Sequence, residues 1–228
     1  MASHNKILRI GHRGAAGHAP ENTLASIQKA IALRCDLVEV DVRRTGDGHL
    51  VLLHDEGVDR MTNGKGNVAE MTLEELRRLD AGGRQRIPTL EEALQTANGR
   101  VGLILELKAK GLAEEVCRIV GASGFTGRII YASFLHDELR HIHQAERGAS
   151  TMVLFKRLPQ DPFAAATSLR ATYVGLRFDK ATKPLVKAFR KAGLVVFSYT
   201  VNEPSDIKRV RSLGVDGIIS DFPDRVVL

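Results

Sequence analysis

The 228-residue chain has no tryptophan, two cysteines, three tyrosines and only 5% aromatic residues. Each shortage excludes something. With no tryptophan, no aromatic-interleaved basic patch and no zinc-finger spacing, nucleic-acid binding is not expected, even at a net charge of +6. The basic residues are spread out, as in RRL (77–79), FRK (189–191) and KRVR (208–211), and read as solvated helix faces. Cys35 and Cys117 each fall in an expected helix or at its end, so they read as free, buried thiols and not as a disulfide framework. No apolar run approaches the roughly 18–20 residues that a membrane helix needs. The opening MASHNKILRI lacks the apolar stretch of a secretory signal, so a cytoplasmic location without stable membrane association is expected. Low-complexity segments and long internal repeats are also missing.

What is present is a rhythm. Residues are 43% hydrophobic and 26% charged, enough apolar content for a sizeable core. Strand-like runs fall near 7–12, 36–43, 49–53, 101–107, 128–132, 151–155, 172–176, 194–200 and 215–220, separated by helical segments. That is the pattern of a parallel sheet built from βα units. The link between 36–43 and 49–53 is too short for a crossover helix and contains Asp47-Gly48, a hairpin signal. The run at 49–53 therefore folds back antiparallel, which leaves eight parallel strands and makes an α/β, (β/α)8 barrel the expected fold over a single domain, 1–228. Residues 55–88 are too many for a βα loop and read as an insertion over the barrel mouth. Thr72-Leu-Glu-Glu75 and Thr89-Leu-Glu-Glu92 are capping boxes, and Gly193 is placed to end a helix over 183–192.

In such a barrel the chemistry sits at the C-terminal ends of the strands. The first strand ends in His12-Arg13, the second carries Glu39 and Asp41, and the third parallel strand carries Glu106 and Lys108. Residues two apart on a strand share a face, so Glu39 and Asp41 point together, as do Glu106 and Lys108. Three inward carboxylates on neighbouring strands repel unless a cation lies among them, and an all-oxygen donor set favours Mg²⁺ or Ca²⁺. A two-residue turn at Asp47-Gly48 would set Gly46 opposite His49 and His54 opposite Asp41, bringing a second histidine to the same rim. His12 and His54 then read as a general acid and base, while His4, His18, His49, His136, His141 and His143 read as surface residues. Arg13 and Lys108 suit a phosphate.

Several blocks together resemble the glycerophosphodiester phosphodiesterases: GHRGAAGHAPENT (11–23), VEVDVRRTGDGHLVLLHD (38–55), DRMTNGKG (59–66), IPTLEEAL (87–94), LELK (105–108), SYTVN (198–202) and GVDGIISDFPD (214–224). The resemblance implies a TIM barrel that hydrolyses glycerophosphodiesters, such as glycerophosphocholine or glycerophosphoethanolamine, to glycerol 3-phosphate and an alcohol. It implies one divalent cation on Glu39, Asp41 and Glu106, catalysis by His12 and His54, and phosphate contacts from Arg13 and Lys108. It also covers Glu21, near the metal site or part of a helix start capped by Asn22 or Thr23. Tyr199 stands where the family often has tryptophan. A small-molecule substrate is the expected partner, and homodimerisation is left open. The alternatives are a lysophospholipase D-type phosphodiesterase, for which the insertion offers few large apolar residues, and an inactive phosphoglycerol-binding barrel.

Overall fold

A computed structural model describes residues 6–226. The strands are β1 (Leu8–Gly11), β2 (Leu37–Arg44), β3 (Leu50–Leu52), β4 (Gly102–Leu107) and β5 (Ile129–Ser133). They continue with β6 (Thr151–Leu154), β7 (Tyr173–Arg177), β8 (Val195–Tyr199) and β9 (Gly217–Ser220). Eight of them pair in parallel, and β1 pairs with both β2 and β9, which closes the sheet into a TIM barrel. Only β3 is antiparallel, lying on the outer end of β2.

Helices alternate with the strands: α1 (Leu24–Ala32), then α2 (Leu73–Arg77) and α3 (Leu90–Ala97) between β3 and β4. After β4 come α4 (Ala113–Ala122), α5 (His136–Ala145), α6 (Pro162–Ser168), α7 (Lys183–Lys191) and α8 (Pro204–Ser212). No helix among the described residues is long and apolar enough to cross a membrane. Both capping boxes form as their sequences require, and Gly193 follows α7 at φ +85°.

Alternation along each strand divides the core. Val38, Val40 and Val42 of β2, with Leu103, Leu105 and Leu107 of β4, pack outward against the helices. Ile10, Leu37, Ile104, Ile130, Met152, Phe197 and Ile219 fill the barrel interior. Leu37 therefore points inward, and so do Glu39 and Asp41 above it. The same period turns Glu106 inward above Ile104. Between β3 and α3, the inserted segment has its own small core of Val58, Val68, Leu76, Ala81 and Ile87 against Val51 and Leu53.

The hairpin differs from its expected register. Val42 pairs with Leu52 and Arg44 with Leu50, so the loop has three residues, Gly46-Asp47-Gly48, and Leu53 donates its N–H to Asp41. Gly48 supplies the left-handed residue, at φ +94°, and Asp47 accepts from the Thr45 hydroxyl and the Leu73 N–H. Those side-chain bonds favour the longer loop over the two-residue turn. One residue of slip exchanges the faces of a strand. His54 nonetheless lies beyond the last ladder pair, where the chain leaves the sheet.

Cys35 is buried and Cys117 half-buried, and burial pushes their thiols up, to about 12 and about 11. His136 and His143 are not surface residues. His136 donates from Nε2 to the Leu154 carbonyl at 2.9 Å, edge-on to Phe155, and His143 lies against the Thr151 hydroxyl. The carbonyl fixes the His136 role as donor.

Glu138 performs a structural task inside the internal HDEL sequence. It is buried, and its two oxygens accept the N–H groups of Gly111, Leu112 and Ala113 at 2.7, 2.9 and 3.1 Å. Helix α4 has no side-chain cap of its own, so this carboxylate satisfies its first amides. Glu138→Ala should destabilise the protein by roughly 3 kcal/mol, because buried donors lose a charged acceptor. Urea unfolding checks this; a midpoint within error of the parent would show that other groups serve those amides.

Candidate active site

The site begins with the turn after β1. A Cβ at Gly11 would lie 2.2 Å from the Gly14 carbonyl oxygen, and one at Gly14 would lie 2.1 Å from the Ser26 hydroxyl. Glycine at both places lets the chain fold back tightly, with Arg13 between them at φ +48°, a conformation that costs about 1–3 kcal/mol in a non-glycine residue. In return the Arg13 N–H donates to Glu39 Oε2 at 2.9 Å, so the strained turn sets the first strand's tip against the second strand's carboxylate.

Register does the rest. Asp41 is directly paired with Glu106 across β2 and β4, and Gly11 pairs with Val38 on one side and Ser220 on the other. His12 therefore emerges between Glu39 and Asp221. Its Nδ1 lies 2.6 Å from Asp221 Oδ1 and its Nε2 lies 3.9 Å from Glu39 Oε2. Asn202 donates to the other Asp221 oxygen at 2.6 Å. His54 is arranged alike: Nδ1 lies 2.6 Å from Asp55 Oδ1, while Asp55 also pairs with Arg60. Each imidazole is thus oriented through Nδ1 by an aspartate, which leaves Nε2 for the site.

Glu39, Asp41 and Glu106 each offer an oxygen within 4.8 Å of the others. Glu39 and Asp41 are buried, and Glu39 Oε1 has no hydrogen-bond partner. Burial, reinforced by the charge of Asp41, holds both Glu39 and Glu106 above the usual carboxylate range. Asp41 is held below it despite burial, by Lys108 and Arg13. An all-oxygen cluster with an orphaned carboxylate oxygen fits a hard divalent cation. Burial lowers His12, but the bond to Asp221 and the charge of Glu39 outweigh it and raise its affinity for a proton. At His54 burial prevails and lowers it.

Cations border the cluster. Lys108 Nζ lies 2.6 Å from Glu106 and 3.4 Å from Asp41, and Arg13 lies 2.8 Å from Glu21 and 3.3 Å from Asp41. Glu21 is outside the three-carboxylate group; it bridges Arg13 to Arg60 of the inserted segment. Helix α1 is capped by Thr23, and Asn22, at φ +55°, instead donates to Asp41 Oδ2 and accepts the Asp41 N–H. Tyr199 is half-buried, edge-on to Phe134 at 6.1 Å between ring centres. Asp221, Asn202, Asp55, Asn22 and Arg60 were not identified from sequence.

Comparison with known proteins decides the family. The profile described as the glycerophosphoryl diester phosphodiesterase family matches residues 12–225. The chain belongs to that family. Its relatives within the glycerophosphoryl diester phosphodiesterases include a glycerophosphodiester phosphodiesterase of Caldanaerobacter subterraneus, 35% identical over 97% of both chains. Another, from Bacillus subtilis, is 31% identical over 98% of this chain and 86% of the relative. Among solved structures, a phosphodiesterase of Oleispira antarctica in complex with the product sn-glycerol-3-phosphate superposes with a TM-score of 0.89 at 29% identity, covering 95% of this chain and 94% of that one. The glycerophosphodiester phosphodiesterase of Agrobacterium tumefaciens gives 0.87 at 30% identity, covering 97% and 99%. Members of this family are enzymes, and this chain is one of them.

Proposed function

We propose that this phosphodiesterase hydrolyses glycerophosphodiesters to sn-glycerol 3-phosphate and an alcohol. The observation that carries the reading is the meeting of Glu39, Asp41 and Glu106 within 4.8 Å of one another, with His12 against Glu39 and His54 in the same cleft as Glu106. Those carboxylates would hold one Mg²⁺ or Ca²⁺, which when bound supplies Lewis acidity toward a phosphoryl oxygen. Arg13 and Lys108 keep N–H donors beyond those used on their carboxylate partners, and these face the diester's negative charge. One imidazole takes a proton from the attacking oxygen, either of water or of the glycerol 2-hydroxyl; the latter route forms a cyclic phosphate that water then opens to glycerol 3-phosphate. As the bond from phosphorus to the alcohol breaks, the other imidazole protonates the departing oxygen.

The test is release of sn-glycerol 3-phosphate from glycerophosphocholine, glycerophosphoethanolamine and an acylated analogue, each with Mg²⁺ and with Ca²⁺. Glycerol 3-phosphate from the unacylated diesters is expected. Turnover confined to the acylated substrate, or absent with either metal, would overturn the assignment.

Asp221 is a positioning residue in this scheme. Asp221→Asn keeps the shape of the side chain but removes the charged acceptor that fixes the His12 tautomer, so kcat should fall by roughly 10²-fold or more. KM and the thermal midpoint should stay near the parent values. A fall in stability with kcat preserved would reduce Asp221 to a packing role.

A further inference from the structure

Beside the carboxylate cluster the barrel mouth opens into a cleft of about 670 Å³, lined by His54, Glu106 and Lys108 at one end and by Lys110, Phe134 and Lys156 farther out. Lys156 also lines an adjoining hollow of about 160 Å³ with Arg157, Arg177 and Lys180. All of these cations lie at or just past the C-terminal ends of β4, β6 and β7, on the face where the chemistry sits.

Their pairing is uneven. Asp179 takes both bonds from Arg177, at 2.6 Å, and lies 3.8 Å from Lys180. Within the cleft, Lys108 is held by Glu106 and Asp41, Arg43 donates to the His54 carbonyl, and Asp55 is held by His54 and Arg60. The remaining acid of the cleft wall, Glu56, acts on Arg43. Lys110, Lys156 and Arg157 are exposed, and no hydrogen bond or ion pair among the described residues engages their side chains. Three unpaired cations, Lys110 in the cleft, Arg157 in the hollow and Lys156 lining both, leave a positive field that extends from the reacting centre. Phe134 is the one aromatic carbon ring lining the larger cleft, too little to hold a quaternary ammonium against that field.

We propose that the preferred alcohol of this enzyme carries a second anionic group, a phosphate or carboxylate, received by Lys110, Lys156 and Arg157. The inference rests on the diesterase reading above and specifies its substrate class. Glycerol is an uncharged polyol and gains nothing from free cations, so the arm beside them is the alcohol. A choline or ethanolamine arm would place like charge there, which discriminates against it by repulsion.

Three diesters separate the possibilities: glycerophosphocholine, glycerophosphoglycerol and 1,3-bis(glycerophospho)glycerol, whose alcohol bears a second phosphodiester. With the magnesium-loaded enzyme, kcat/KM for the last should exceed the other two by about tenfold or more after correction for its two equivalent scissile bonds. The advantage should shrink several-fold in about 0.5 M salt, because exposed charges are screened. It should also collapse in the Lys156→Glu, Arg157→Glu double variant, and partly in the milder Lys156→Gln, Arg157→Gln variant. The same preference should appear without turnover, as tighter calorimetric binding of the bis-diester over glycerophosphoglycerol to the His54→Ala protein. Equal kcat/KM and equal binding for these two diesters, or a preference unmoved by charge reversal, overturns the proposal. Selective binding without hydrolysis of any diester would overturn the diesterase reading and leave the anion-receiving wall standing.

Discussion

Alanine in place of His12, or of His54, should lower kcat for glycerophosphodiester hydrolysis by roughly 10²–10⁴-fold, the range for loss of one positioned proton-transfer group. Neither imidazole belongs to a hydrophobic cluster, and each is held by a single aspartate, so the fold should survive both substitutions. The two variants should then diverge on a diester with a 4-nitrophenyl leaving group. A departing nitrophenolate needs no proton, so the variant lacking the acid regains much of its turnover and the variant lacking the base does not. Near-native kcat in either variant on the natural diester would remove that histidine from the reaction. Equal rescue of both would show that the pair does not divide acid and base duties.

The second large effect concerns the carboxylates. Chelation should abolish turnover, and Mg²⁺ or Ca²⁺ should restore it where sodium at the same ionic strength does not. The same cation should raise thermal stability, by about 2.7 kcal/mol at a hundredfold excess over its dissociation constant. Glu39→Gln separates the two roles of the cluster. It removes one of three crowded carboxylates, so the metal-free variant should be at least as stable as the metal-free parent, while the stabilisation by cation and the turnover are both lost. Undiminished stabilisation by Mg²⁺ and Ca²⁺ in that variant would place the ion elsewhere.

How much of this was legible in the sequence follows the range of the interactions. The barrel was readable because each strand carries its own hydrophobic run, and every observed strand falls within two residues of its expected limits. Glu39, Asp41, Glu106 and Lys108 could be placed because period-two alternation acts within a strand. The hairpin register was missed because side chains outside the ladder, Thr45 and Asp47, settle the loop length. Asp221 and Asn202 were missed for a different reason. Asp221 meets His12 across 209 residues of chain, which only the β1–β9 pairing makes neighbours, and Asn202 reaches the imidazole only through Asp221. A signal was available, since Asp221 directly follows an apolar strand, as His12 follows β1. Asn22 lies in a segment that reads equally well as a helix start, which concealed its contact with Asp41.

That same pairing of first strand with last has a temporal consequence. A ribosome delivers His12 209 residues before Asp221, so no nascent polypeptide that stops short of Asp221 holds His12 oriented, although His54 and Asp55 emerge together. Hydrolytic power arrives with the final strand and not gradually. Any nick or truncation that frees the last segment would switch the molecule off even while most of the cylinder remained intact.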